Sequence, residues 1–268
     1  DKFRIFIPEW SWTKPYTFWA GVIGGCFLTT ASHGTEQLMV QRLLAAKNLK
    51  ESRAALLVSW IVIFFQFSLF LIIGVALFVL YRDNGLTPPA IGDRIYPEYI
   101  WNHLPVGVAG LVIAAILAAA MSNLSAALNS LASTTVIDFI KPLTGNSRSE
   151  REYLRLSKIV TLIWGVVLFL IGWASSGVSS VLEAALGIAS IVYGSLLGVF
   201  FLGLLTKRIG EVAAMIGMSA GLMVMIYVKF FTPIAWTWHV LIGTSVTFFV
   251  GLIAGLVTPA QEREDFHG

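Results

Sequence analysis

The chain has 268 residues, 57% hydrophobic and 12% charged, with a formal net charge of +3 and a mean hydropathy of +0.80. Soluble domains carry about 25% charged residues, so the composition excludes an ordinary soluble fold and implies a chain solvated by lipid. One cysteine, Cys26, excludes a disulfide framework and a cysteine metal site, and a small net charge with no basic run argues against nucleic acid as a partner.

Residues 1–15 are amphipathic and aromatic-rich, begin without Met and show no cleavable leader pattern, so the chain reads as a piece of a longer protein. About 20 mostly apolar residues cross a bilayer. Seven stretches qualify: Tyr16–Met39, Ala54–Tyr81, Trp101–Val136, Ser157–Ser175, Val178–Leu205, Val212–Phe231 and Ala235–Pro259. The fold class expected is all-α, polytopic in the membrane.

The first stretch is not uniform. Gly21, Gly24 and Gly25 are followed by Thr29, Thr30, Ser32, His33, Gly34, Thr35, Glu36 and Gln37. So polar and glycine-rich a run reads as a broken helix whose freed backbone lines a cavity. Close helix packing explains the small residues too, but does not call for His33 and Glu36. In the second connection, Asn84-Gly85 and Pro88-Pro89 signal turns. Trp101 and His103 read as interfacial, and Pro105 as a helix start.

The third stretch carries the most chemistry. At about 100° per residue, Ser122, Ser125, Asn129 and Ser133 fall within roughly 80° of one another. Asn123, Ser130 and Thr134 form a second stripe, and Leu124, Leu128 and Leu131 take the opposite side. Oxygens on one face of a membrane helix must meet a neighbouring helix, water or a dehydrated ion. Further on, Gly194/Gly198 and Gly217/Gly221 form two GxxxG patterns, read as helix packing.

Basic residues orient the spans. Twelve lie on one side: Arg42, Lys47, Lys50, Arg53, Lys141, Arg148, Arg151, Arg155, Lys158, Lys207, Arg208 and Arg263. Six lie on the other: Lys2, Arg4, Lys14, Arg82, Arg94 and Lys229. The N-terminus is expected outside and the C-terminus in the cytoplasm. This topology also suits a seven-helix receptor, though no cysteine pair ties the external loops. An intramembrane enzyme would need a nucleophile with a base, or a metal pair such as H-E-x-x-H; His33, His103, His239 and His267 make no such motif. No enzyme activity and no organic cofactor are expected.

Three segments resemble the sodium/solute symporter family. Thr35-Glu36-Gln37-Leu38-Met39-Val40-Gln41-Arg42, followed by Leu43 to Lys47, is similar to the cytoplasmic end of that family's broken sixth core helix. Met121-Ser122-Asn123-Leu124-Ser125 to Asn129-Ser130, with the Asp138 exit, resembles the eighth. Leu204-Leu205-Thr206-Lys207-Arg208 is similar to the basic end of the tenth.

The resemblance implies a LeuT-type fold. Residues 1–209 would form the second inverted repeat, with five transmembrane helices and the first one broken. Residues 210–268 would add two accessory helices and a cytoplasmic tail. The N-terminal repeat would be missing from the chain, and with it half of the main sodium site. Function is then secondary active transport: sodium entry coupled to uptake of a small organic solute by alternating access, in a plasma (inner) membrane.

By position, the sodium ligands implied are the Ala119 carbonyl, the Ser122 hydroxyl and Asn123, where the family usually has Ser or Thr. Asn offers a carbonyl oxygen but is longer and bulkier. Ser125 matches a hydroxyl of a second sodium site, whereas the next residue, Ala126, lacks an oxygen. Such ligands make sense because a hard cation must exchange its hydration shell for oxygens, and a bare charge near the membrane centre costs about 2.5–3.5 kcal/mol on insertion scales. Thr29, Ser32 and His33 lie where the broken helix faces solute, and Gln66 is a further polar candidate. Ile63 and Leu186 replace the Lys and Gln of sugar-transporting members, so a sugar is disfavoured.

Overall fold

The computed structural model describes residues 6–145, 149–177, 180–206 and 209–257. The described residues are helical and connecting segments throughout. Six helices are long and apolar enough to cross a membrane: Leu49–Asp83, Val106–Leu143, Glu150–Ala174, Val181–Leu205, Glu211–Phe231 and Trp236–Val257. Large apolar side chains cover their outer faces, for example Phe64, Phe65 and Leu71 at 68, 67 and 70% exposure. Exposed apolar bands of this kind are stable only in lipid, and the chain is an integral membrane protein.

The first predicted span is instead assembled from short pieces. A π-helical turn, Ala20–Gly24, runs into α1, Gly25–Gly34. The chain leaves helix at Thr35 (φ −120°) and resumes as α2, Gln37–Leu44. The interruption thus falls at Thr35–Glu36 rather than along the glycines, and Thr29–His33 stay helical. Their polar groups turn back on their own helix, which lets it persist through a polar run.

The third predicted span also starts later than expected. Trp101 and His103 belong to a separate short helix, α4 (Ile95–His103), which lies in the second connection after α3, Leu49–Asp83. Leu104 is extended (ψ 146°) ahead of Pro105, because the proline ring disfavours helix in the residue before it. α5 (Val106–Thr134) then begins. It passes through a π-helical segment, Thr135–Ile140, into the short α6 (Lys141–Leu143). The turn at Asn84-Gly85 forms as expected, with Gly85 at φ +64°. α7 (Glu150–Ala174) starts two turns before its apolar stretch, on a capping box between Ser149 and Glu152.

The chain divides into two compact units, residues 1–80 with 182–268, and residues 81–181. In the first unit, α8 (Val181–Leu205), α9 (Glu211–Phe231) and α10 (His239–Val257) are joined through small residues. A Cβ on Gly194 would lie 2.9 Å from the Gly243 Cα, and one on Gly217 would lie 2.9 Å from the Gly251 Cα. Thr244 on α10 donates to the Gly194 carbonyl at 3.1 Å. Both GxxxG patterns therefore act in packing: only glycine lets the backbones approach this closely.

Around this core, the N-terminal segment is stitched to the start of α10. The Ala235 amide donates to the Trp12 carbonyl at 2.8 Å, and the Trp238 indole donates to the Ser11 carbonyl at 3.0 Å. Trp238 is fully buried. In the second unit, α5 and α7 meet through Ala132, Val136 and Val160, and the Trp164 indole donates to Thr135 Oγ1 at 3.0 Å.

Candidate functional site

Two sets of predicted site residues lie in different units. Ala119, Ser122, Asn123 and Ser125 belong to the second, all on α5 and all exposed within it. The buried residues of α5 lie to either side of this stretch, at Ala109 and Ala132. Most helical hydroxyls here are committed to the carbonyl four residues back, as at Thr30, Thr35, Ser68, Thr135 and Thr161. Ser122 and Ser125 make no such bond among the described residues, so their oxygens are uncommitted. Asn123 does bond back: its Nδ2 donates to the Ala119 carbonyl at 3.1 Å. Four oxygens thus share one stretch of helix with nothing of their own unit covering them.

Thr29, Ser32 and His33 sit on α1 in the first unit. Ser32 Oγ donates to the Thr29 carbonyl at 3.1 Å, and His33 Nδ1 lies 3.1 Å from that same oxygen. Nδ1 also lies 3.0 Å from Ser32 Oγ. Nε2 is buried and without a partner among the described residues. The Trp60 ring of α3 stands edge-on to His33 at 6.4 Å. Gln66 lies on the exposed side of α3 and makes no hydrogen bond to these three residues.

A cavity of about 1190 Å³ opens in the first unit between the beginning of the first helix and α3. Tyr16, Gly21, Gly24, Gly25 and Leu28 line one side, and Ser68, Leu71, Ile72 and Val75 the other. Thr29, Ser32, His33 and Gln66 do not line it. The glycine run therefore does open space, one to three turns before the polar residues that follow it.

Two carboxylates near helix ends gain partners that sequence reading did not supply. Glu36, at the interruption, accepts from the Tyr193 hydroxyl of α8 at 3.0 Å. Glu183, at the start of α8, accepts from the Tyr16 hydroxyl. A tyrosine inside an apolar stretch was the available signal, since its hydroxyl needs a partner there. The basic residues Lys2, Arg4, Arg148, Lys207, Arg208 and Arg263 lie outside the described residues, and the side chains of Gln37, Leu38, Gln41 and Arg42 do too.

The described residues thus form a set of membrane helices, the first interrupted at an acidic residue and a later one lined with oxygens. The model of the Sodium:solute symporter family matches residues 11–221, and the chain belongs to that family. A sodium/sialic acid symporter of Proteus mirabilis is 29% identical over 259 residues, which is 95% of this chain and 52% of the relative. The human sodium/iodide cotransporter is 31% identical over 222 residues, 80% of this chain and 34% of the relative. Sodium-coupled monocarboxylate transporter 1 of Xenopus laevis is 31% identical, with 80 and 35% covered.

Among solved structures, a Na+-coupled sialic acid symporter in a substrate-bound outward-open state superposes with a TM-score of 0.78 at 28% identity. It covers 94% of this chain and 52% of that one. The fold is of the LeuT type. The chain spans about half the length of the bacterial symporters it matches. These relatives are transporters, not enzymes, and they give no support to the receptor reading.

Proposed function

We propose that this chain is the second half of a secondary transporter that couples sodium entry to uptake of a small solute by alternating access. Residues 1–209 would be the second inverted repeat and 210–268 accessory helices with a cytoplasmic tail. A preceding repeat of the same transporter would complete both sites. The similarity of nearly the whole chain to about half of the sialic acid symporters supports reading it as one half of such a transporter. The basic-residue asymmetry supports an external N-terminus and a cytoplasmic C-terminus, and the membrane would be the plasma (inner) one.

The observation that carries the ion reading is the exposed face of α5, where the Ser122 and Ser125 hydroxyls are uncommitted beside the Ala119 carbonyl. Ala119 and Ser122 would form the centre of the sodium site, with Asn123 and Ser125 beside them. A cation held by neutral oxygens is bound weakly enough to be released on the other side. Thr29, Ser32 and His33 would contribute to solute recognition, with Gln66 a further contact. The solutes of the named relatives differ widely, so the solute class here rests on the site alone. With Ile63 and Leu186 where sugar carriers have polar groups, it would be a small organic solute and not obviously a sugar.

The test is Ser122→Ala in the full-length transporter. Loss of one hydroxyl ligand, worth about 1 kcal/mol, should raise the sodium concentration for half-maximal uptake about fivefold. Unchanged sodium dependence would contradict the site.

A further inference from the structure

Asn123 sits one residue after Ser122, and its side chain is not idle. Its amide nitrogen lies 3.1 Å from the Ala119 carbonyl oxygen. Because a carbonyl can only accept, the group facing it is the NH2 and not the amide oxygen. Residues 119–123 are regular helix, where the carbonyl of a residue also accepts the backbone N–H four positions on. For Ala119 that residue is again Asn123. A carbonyl oxygen has two lone pairs. One residue therefore claims both, once with its main chain and once with its side chain.

This has a direct consequence for any cation that would use that oxygen. The lone pair it needs is engaged, and the partial positive charge of the NH2 stands where the ion would approach. We propose that the Asn123 amide is a built-in competitor for sodium at the Ala119 carbonyl, a positioning residue that sets affinity rather than an ion ligand in its own right. The proposal rests on the sodium-site reading above and assigns one residue within it a role of the opposite sign.

Sodium entry then requires the Asn123 side chain to rotate away first, and sodium departure is assisted when it swings back. A side chain with nothing to donate, alanine or valine, leaves the carbonyl open, whereas a serine hydroxyl can bond back to it as Ser68 does on its own helix. The effect is local to α5 and needs no contact with any other element.

The experiment is sodium-dependent thermal stabilisation of the full-length transporter, measured against potassium at equal ionic strength, for Asn123→Ala, Asn123→Val and Ser122→Ala. Unfolding in potassium shows that each variant is folded. If the amide competes, both Asn123 variants should lower the sodium concentration for half-maximal stabilisation, by about threefold or more, the size of one hydrogen bond removed from competition. Ser122→Ala should raise it. Asn123 variants that raise the sodium requirement alongside Ser122→Ala would overturn the competitor role and make Asn123 a ligand. Ser122→Ala without effect would overturn the site itself. Should Asn123→Ala fold poorly, the valine variant, which also has nothing to donate, carries the sign of the effect.

Discussion

Tyr193 and Glu36 show how a single pair holds an interrupted helix in place. The interruption at Thr35–Glu36 leaves a partly buried carboxylate, and the Tyr193 hydroxyl donates to it from α8 at 3.0 Å. A hydrogen bond to a charged acceptor contributes about 1.5–3 kcal/mol, and a buried acceptor stripped of its donor costs a similar amount. Tyr193→Phe should therefore destabilise the protein by about 1–3 kcal/mol, read as earlier thermal unfolding in detergent. Glu36→Gln, which keeps an acceptor for the tyrosine, should cost less. Equal stability of wild type and Tyr193→Phe would mean that the interruption is held by other contacts.

At the scale of elements, glycines decide how α8, α9 and α10 come together. A Cβ on Gly217 would meet the Thr247 carbonyl oxygen at 2.6 Å and the Gly251 backbone at 2.9 Å. Both are main chain and cannot step aside. Gly217→Val should separate α9 from α10 and destabilise by more than about 2 kcal/mol, in the range of strongly overpacked sites. Gly203→Ala, with open space around it, should be neutral or slightly stabilising, since alanine is the better helix former by about 1 kcal/mol. Equal tolerance of both changes in a thermal unfolding assay would refute the packing role.

Much of this element-level structure is legible in the chain, for physical reasons that differ by position. The paired glycines and the Asn84-Gly85 turn are local patterns whose chemistry acts within four residues. The oxygen stripe of α5 is a 3.6-residue period and is equally visible. The separation of α4 from α5 was signalled by Pro105, yet the apolar residues around Trp101 read as one continuous span. The interruption of the first helix was misplaced because glycine signals permission to bend, whereas the polar groups of Ser32 and His33 bond back to their own helix and hold it straight. The partners of Glu36 and Glu183 were not legible at all. Each lies more than 150 residues away along the chain, and nothing local selects one tyrosine over another.

For the molecule as a whole, the central claim is that the exposed face of α5 is half of a sodium site. Within its own unit that face meets nothing, and membrane helices seldom leave a row of oxygens without a partner. The most direct measurement is the thermal stability of the full-length transporter in sodium against potassium at equal ionic strength, since it requires no knowledge of the solute. With sodium at ten times its dissociation constant, linkage gives about 1.4 kcal/mol of stabilisation. The account predicts a sodium-specific upward shift that Ser122→Ala reduces. Identical stability in the two salts across the whole concentration range would contradict it.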